Sequence, residues 1–259
     1  MSESSTAVLV VAHPGHELRI HGWLERERPD VFVLTDGSGS SGQSRLASTA
    51  EALRRAGARP GSVFGRFTDR ELYELILEGR TAALLELARE LAGAFVERGV
   101  EVVAADAFEG YNPSHDVCRL VADAAVALAR RRTGRAIANY EFLLEGRPDT
   151  VSSNGSGVLR WELEDGALDR KLAAARAYPE MAYEVERAFA SHGAGAFRVE
   201  CLRPADPEAD ITALIEEPPY YESYGEKQVA AGRYPRVLRF REHFLPLARA
   251  LRELGRTGP

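Results

Sequence analysis

Hydrophobic and polar positions follow two different periods along the first half of the chain. Residues 6–12 form a continuous apolar run rich in valine, the pattern of a strand buried on both faces. Over residues 16–28 the apolar positions 18, 20, 23 and 24 take a helical spacing instead. The alternation continues with a strand at 30–34, a helix at 44–56 closing near Gly57, and a strand at 62–67. A long helical stretch at 70–98 is broken near Gly79, then a strand at 100–105, a helix at 115–132 and a strand at 135–142 follow. This β-α-β order predicts an α/β, Rossmann-like three-layer sandwich with a mostly parallel sheet and right-handed crossovers.

The pattern changes after Gly146. Residues 148–157 are a polar loop rich in Ser, Asn and Gly, and 161–163 reads as a short strand. Residues 166–192 look helical with a break near Pro179, 197–202 alternates like a strand, and 235–254 returns to helix. Between them, 205–226 is rich in Pro, Tyr and acidic residues and reads as loop, with the aromatic run Tyr220-Tyr221-Glu222-Ser223-Tyr224 inside it. Residues 1–146 are therefore expected to form the Rossmann-like core. Residues 147–259 form a small α+β extension covering the sheet edge, integrated with it. The aromatic run either packs this extension or serves an organic ligand.

Composition narrows the function classes. The formal net charge of −6 gives no basic footprint, and arginines interleave with glutamates as on solvated helix faces, so no nucleic-acid partner is expected. Cys118 and Cys201 form no C-x-x-C pair, which fits a reducing cytoplasm better than a disulfide framework. The N-terminus lacks a basic segment followed by an apolar one, and the apolar stretch at 84–96 is interrupted by Glu86, Arg89 and Glu90. No leader and no membrane span are expected. A homo-oligomer stays open.

In parallel sheets of this kind ligands bind beyond the carboxyl ends of the strands. His13 follows the first strand, Thr35-Asp36-Gly37 the second, Thr68-Asp69 the third, and the loop at 109–115 the fourth. His13 and His16 flank a tight Pro14-Gly15 turn, and His115 opens a later helix. Three imidazoles meeting at one sheet edge suit a divalent transition metal, zinc foremost. Glu17 beside them suits either proton transfer or orientation of an imidazole N–H. Asp36, Glu109 and Asp116 are further candidate bases, with a turn role equally open for Asp36. The Gly/Ser-rich loop at 36–43, including Ser38, offers backbone N–H groups to a ligand. His21 and His243 read as helix-face residues.

On these residues the chain resembles the PIG-L or LmbE-like zinc-dependent deacetylases, which act on N-acetylglucosaminyl and related amides. Ala12-His13-Pro14-Gly15-His16-Glu17 aligns with the family's A-H-P-D-D-E, and Glu109-Gly110-Tyr111-Asn112-Pro113-Ser114-His115-Asp116 with its E-G-G-H-P-D-H-D. Leu34-Thr35-Asp36-Gly37, Arg45 and Asp69 match intervening positions. The resemblance implies that His13, His16 and His115 hold zinc; Arg45 and Asp69 at matched positions, and Ser38 in the Gly/Ser-rich loop, are expected to line the substrate site. Gly15 stands where the family has its general base, His16 where it has a carboxylate ligand, and Asn112 where it has a histidine that polarises the carbonyl. The expected function is a metal-dependent hydrolase that cleaves an N-acyl amide on a sugar-like small molecule through metal-bound hydroxide. Asn112 would steady the oxyanion, and Glu17, Asp36 or Asp116 would move the proton. The alternative is a divergent relative without deacetylase activity, either a ligand-binding protein or a lyase or redox enzyme at a three-histidine metal.

Overall fold

The structure, a computed structural model, describes residues 6–39, 41–147 and 156–258. Residues 148–155 of the expected polar loop lie outside them. The strands are β1 (Ala7–Val11), β2 (Asp30–Thr35), β3 (Arg59–Phe67), β4 (Val102–Asp106), β5 (Ala138–Phe142), β6 (Leu159–Glu162) and β7 (Val199–Pro204). They form one seven-stranded sheet in the order β3-β2-β1-β4-β5-β7-β6. The pairings from β3 to β5 are parallel, whereas β7 runs antiparallel to both β5 and β6. The strand order reverses between β1 and β4, which makes their carboxyl ends the topological switch point.

Every residue of β1 and β2 is buried, as continuous apolar runs require in a sheet covered on both sides. One face is covered by α3 (Asp69–Leu77), α4 (Thr81–Arg98), α5 (Pro113–Thr133) and α9 (Leu245–Thr257). Val10, Phe32, Leu91, Leu120 and Leu251 join in that core. The other face packs Trp23 and Leu24 of α1 (His21–Glu27) and Leu53 of α2 (Leu46–Ala56) against Leu9, Val33 and Leu202. The C-terminal residues thus complete both layers: β7 and β6 lengthen the sheet, and α9 lies in the helix layer. The remaining helices are α6 (Asp165–Arg176), α7 (Ala182–His192) and α8 (Tyr220–Ala230).

Two local expectations change. The helix expected over 16–28 is a 3-10 turn at His16–Ile20 followed by the short α1, because Gly15 enters it with φ 103° and no side-chain cap. The aromatic run expected in a loop opens α8, with Pro218 and Pro219 just before it. Dense prolines and tyrosines hid a helix that starts directly after a proline pair.

Candidate metal and active site

His13 leaves the end of β1, His16 follows the Pro14-Gly15 turn, and His115 sits in the first turn of α5. That helix begins with Pro113 and is capped by Asn112, whose side-chain oxygen accepts the Ser114 N–H at 2.9 Å. The three rings gather at the switch point. Their centroids are 5.2 Å apart for His13–His16 and His13–His115 and 4.6 Å for His16–His115.

Two of the rings are fixed through Nδ1. His13 Nδ1 lies 2.8 Å from Asp69 Oδ1 and 2.8 Å from Thr35 Oγ1. Thr35 donates its hydroxyl hydrogen to the Ala12 carbonyl at 2.9 Å, so it can only accept from His13. The network therefore assigns the proton to Nδ1 and leaves the Nε2 lone pair bare. Asp106 Oδ2 takes the Ala12 N–H at 2.7 Å and faces His16 Nδ1 at 2.9 Å. His115 Nδ1 is buried and has no hydrogen-bond partner among the described residues. Burial first, and then the neighbouring imidazoles, hold His16 and His115 well below the ordinary histidine range, so both stay neutral. Burial pushes the Asp106 carboxyl up to about 7. At Asp69 burial also favours the neutral acid, but the His13 contact outweighs it and keeps the carboxylate ionised.

The donor set suits a transition metal. Zinc sits about 2.0–2.1 Å from an imidazole nitrogen and so about 3.2 Å from the ring centroid, which spaces tetrahedral ligands' centroids about 5.2 Å apart. The observed spacings approach that value, and His115 Nδ1 is a buried polar atom without a partner among the described residues. Among the described residues, however, no group of three or more His, Cys, Asp or Glu side chains is arranged to hold an ion as it stands. The ring spacing fits a metal, while the cluster is not a preformed cage.

The other expected residues are placed unevenly. Asp69, expected to line the substrate site, braces His13 and accepts the Gly39 N–H at 2.6 Å. Glu17 is fully buried, and its hydrogen bonds go to neither His13 nor His16. Its oxygens accept the Gly15 N–H at 2.8 Å and the Tyr178 hydroxyl, so it braces the turn. Asp36 takes the turn role: its side chain accepts the Ser38 N–H at 2.9 Å and its carbonyl the Arg45 N–H at 2.8 Å. Ser38 is buried and its carbonyl holds Gly42 and Ser41. Asp116 clamps the Glu109 and Gly110 amides through Oδ1, while Oδ2 has no partner among the described residues; burial raises its carboxyl to about 7. Asn112 spends its oxygen on the helix cap, which leaves its NH₂ for a ligand. Arg45 lies against Gly37, close enough for its charge to lower the proton affinity of His16, and its buried Nε has no partner among the described residues. His21 is buried, and His243 accepts the Arg239 N–H at 2.9 Å, both away from this cluster's hydrogen bonds.

Sequence reasoning missed three residues. Asp106 ends β4 at the carboxyl edge, and an acid closing a buried apolar strand was the available signal. Tyr178 and Met181 come from the C-terminal part and carry no motif. A Cβ at Gly15 would collide with the Met181 sulfur, so Met181 fills the space over the turn. A groove of about 420 Å³ opens at the opposite end of the sheet beside Asp30, Arg59 and Arg98. Both of its guanidinium groups are held by Asp30, which gives it a structural account.

No family profile and no curated protein matches the chain. Among solved structures it is similar to the zinc-inhibited form of teicoplanin deacetylase Orf2, at 11% identity and a TM-score of 0.48, covering 77% of this chain and 99% of that one. It is also similar to the conserved protein TT1542 from Thermus thermophilus, at 20% identity and a TM-score of 0.48, covering 79% and 96%. A deacetylase–bog complex from the teicoplanin biosynthesis pathway follows at 12% identity and a TM-score of 0.44, covering 77% and 99%. These likenesses concern the fold. No described helix is long and apolar enough to cross a membrane.

Proposed function

We propose that the chain is a metal-dependent hydrolase that cleaves an N-acyl amide on a sugar-like small molecule. The observation that carries this reading is the convergence of His13, His16 and His115 at the switch point, two of them fixed by carboxylates through Nδ1. The motif resemblance supplies the reaction class. These residues would hold zinc or another divalent ion. When bound, the ion would supply Lewis-acid polarisation of the amide carbonyl and a more acidic water.

The chain's own groups divide the remaining work. Asp69 and Asp106 keep the Nδ1 protons in place and aim Nε2 of His13 and His16 inward. The Asn112 NH₂ donates a neutral hydrogen bond to developing negative charge on the carbonyl oxygen. Arg45, whose Nε has no partner among the described residues, pairs with an anionic or hydroxyl group of the substrate. Among the sequence candidates, Asp116 acts as the proton acceptor, through the buried Oδ2 that has no partner among the described residues. The partner is a small molecule, and the cysteine pattern fits the cytoplasm as the compartment.

One observation favours the second reading, a relative that binds its ligand without deacetylating it: Met181 covers the Gly15 turn where a base would stand. A panel of N-acylated amino sugars, assayed with metal content measured in parallel, separates the two. Release of the free amine in proportion to bound metal supports hydrolysis. Stoichiometric metal with no turnover on any substrate rejects it.

A further inference from the structure

The chain carries two cysteines and two methionines. Both thiols are buried, and burial pushes both above the ordinary cysteine range, which leaves little reactive thiolate. Met1 lies outside the described residues. The remaining sulfur, the Met181 thioether, is only partly buried. It ends the 3-10 turn Pro179–Met181 that follows α6. A thioether reacts without losing a proton, so partial burial leaves its chemistry intact.

Its position ties it to the histidine cluster. The Met181 sulfur takes the space beside Gly15 that a side chain there would need. The same residue packs on a small apolar cluster of Leu18, Ala52, Ala174 and Tyr178, separate from the two large cores. The turn beneath it is held by few bonds. The Gly15 N–H donates to Glu17 at 2.8 Å, the Leu18 N–H to the Gly15 carbonyl at 3.2 Å, and the His16 N–H to the His13 carbonyl at 3.4 Å. The last of these is long for a hydrogen bond, so the relation of His13 to His16 depends on what packs against the turn. That packing surface is the thioether.

We infer that Met181 is an oxidation site, and that its conversion to the sulfoxide opens the turn between His13 and His16. The oxidant is a hydroperoxide. The sulfur lone pair attacks one peroxide oxygen, and the S–O bond forms as the O–O bond breaks. The proton of the transferred oxygen passes to the departing one, which leaves as water or an alcohol. Sulfur loses two electrons and the peroxide gains them. The product is polar and carries an acceptor oxygen where apolar packing stood. There is no room for a further atom on the Gly15 side, and the neighbouring cluster is apolar, so the oxidised side chain withdraws from the turn. A loosened turn then no longer aims His13 and His16 at one ion. This last step rests on the metal reading, whereas the oxidation and the opening do not.

The test treats the metal-free full chain with hydrogen peroxide, with N-acetylmethionine amide added as an internal standard. Peptide mass mapping should find the sulfoxide at Met181. Amide hydrogen exchange of Gly15, His16 and Leu18 should then speed up by about 5- to 150-fold, the equivalent of an unpaired acceptor forced on a packed site. Zinc affinity, read by competition with a chromogenic chelator, should fall by about 10- to 100-fold, as when a metal ligand loses its support. Methionine sulfoxide reductases for both epimers should reverse all three changes. Met181→Leu keeps an apolar side chain of similar volume and cannot form a sulfoxide, so peroxide should leave its exchange and its affinity where they began. The inference is overturned if Met181 stays unmodified while the standard is consumed, or if the sulfoxide leaves exchange at the turn unchanged. Equal zinc affinity in the reduced and oxidised protein overturns it too, as does a leucine variant that responds like the wild type. If the reduced protein binds no zinc and the turn still opens on oxidation, the metal reading falls and the oxidation site stands.

Discussion

Asp106 and His16, ninety positions apart in the chain, meet at 2.9 Å, and the same Asp106 oxygen holds the Ala12 N–H at 2.7 Å. One buried carboxyl therefore fixes both the end of β1 and the ring that follows it. Asp106→Asn should lower zinc affinity by about 10- to 100-fold, the usual effect of losing a carboxylate that orients a metal-bound imidazole. Competition titration with a chromogenic chelator measures it, and Asp69→Asn should act in the same direction through His13. Unchanged affinity in both variants would show that these contacts do not orient ligands.

The turn at Gly15 is closed off by its neighbours. With φ 103° and Met181 over it, Gly15→Asp should destabilise the protein by about 1–3 kcal/mol from backbone strain, with the steric contact added. Met181→Ala should relieve the contact, so the double variant should be more stable than the sum of the single changes implies. Urea unfolding of the four proteins completes the cycle. Additive effects would place Met181 away from the turn.

Asp116 makes a pH signature. Burial raises its carboxyl to about 7, against an ordinary aspartate value of about 3.9 in the unfolded chain. In between, the folded state binds more protons than the unfolded one, so this group's contribution is full at low pH and is lost as pH rises through 7. The expected loss is about 1.4 kcal/mol between pH 6 and 8. Asp116→Asn keeps an oxygen for the Glu109 and Gly110 amides but cannot titrate, so its stability should fall less over that window. Equal slopes in wild type and variant would refute the assignment.

A second buried pair is purely structural. Lys171 and Glu200 meet at 2.9 Å with almost no exposure, and Glu200 also accepts the Gly22 and Trp23 N–H groups at 2.8 and 2.9 Å. Lys171→Met strands a buried carboxylate and should cost about 3–5 kcal/mol. Thermal and denaturant midpoints report it; a loss below about 1 kcal/mol would mean that water reaches Glu200.

The core was readable because its physics is local. Valine-rich β1 and β2 announce buried parallel strands, Gly57 and Gly79 mark helix ends, and the carboxyl-edge rule points at His13, Asp69 and His115 from the sequence alone. The sequence-level roles fared less well where a role depends on a distant partner. Glu17 sits beside a histidine in sequence, yet its partner is Tyr178, 161 positions away, so it braces a turn. The pairing of Asp69 with His13 spans 56 positions and is invisible in the sequence, where Asp69 only matches a family position. An acid closing an apolar strand gives Asp106 its place at the sheet edge but not its partners, Ala12 and His16, which come to it only when β1 lies beside β4. Helix α8 escaped because two prolines and a crowd of tyrosines resemble a loop.

Tyr178 and Met181 lie outside residues 1–146 yet both hold the turn between His13 and His16. The histidine motif is for that reason not a transplantable cassette. Grafted with its strand and helix alone, it would carry Glu17 into an interior with no hydroxyl to meet it and leave Gly15 facing an unfilled space. Diversification of the C-terminal half, which looks like a change at the periphery, would act directly on the geometry of the site.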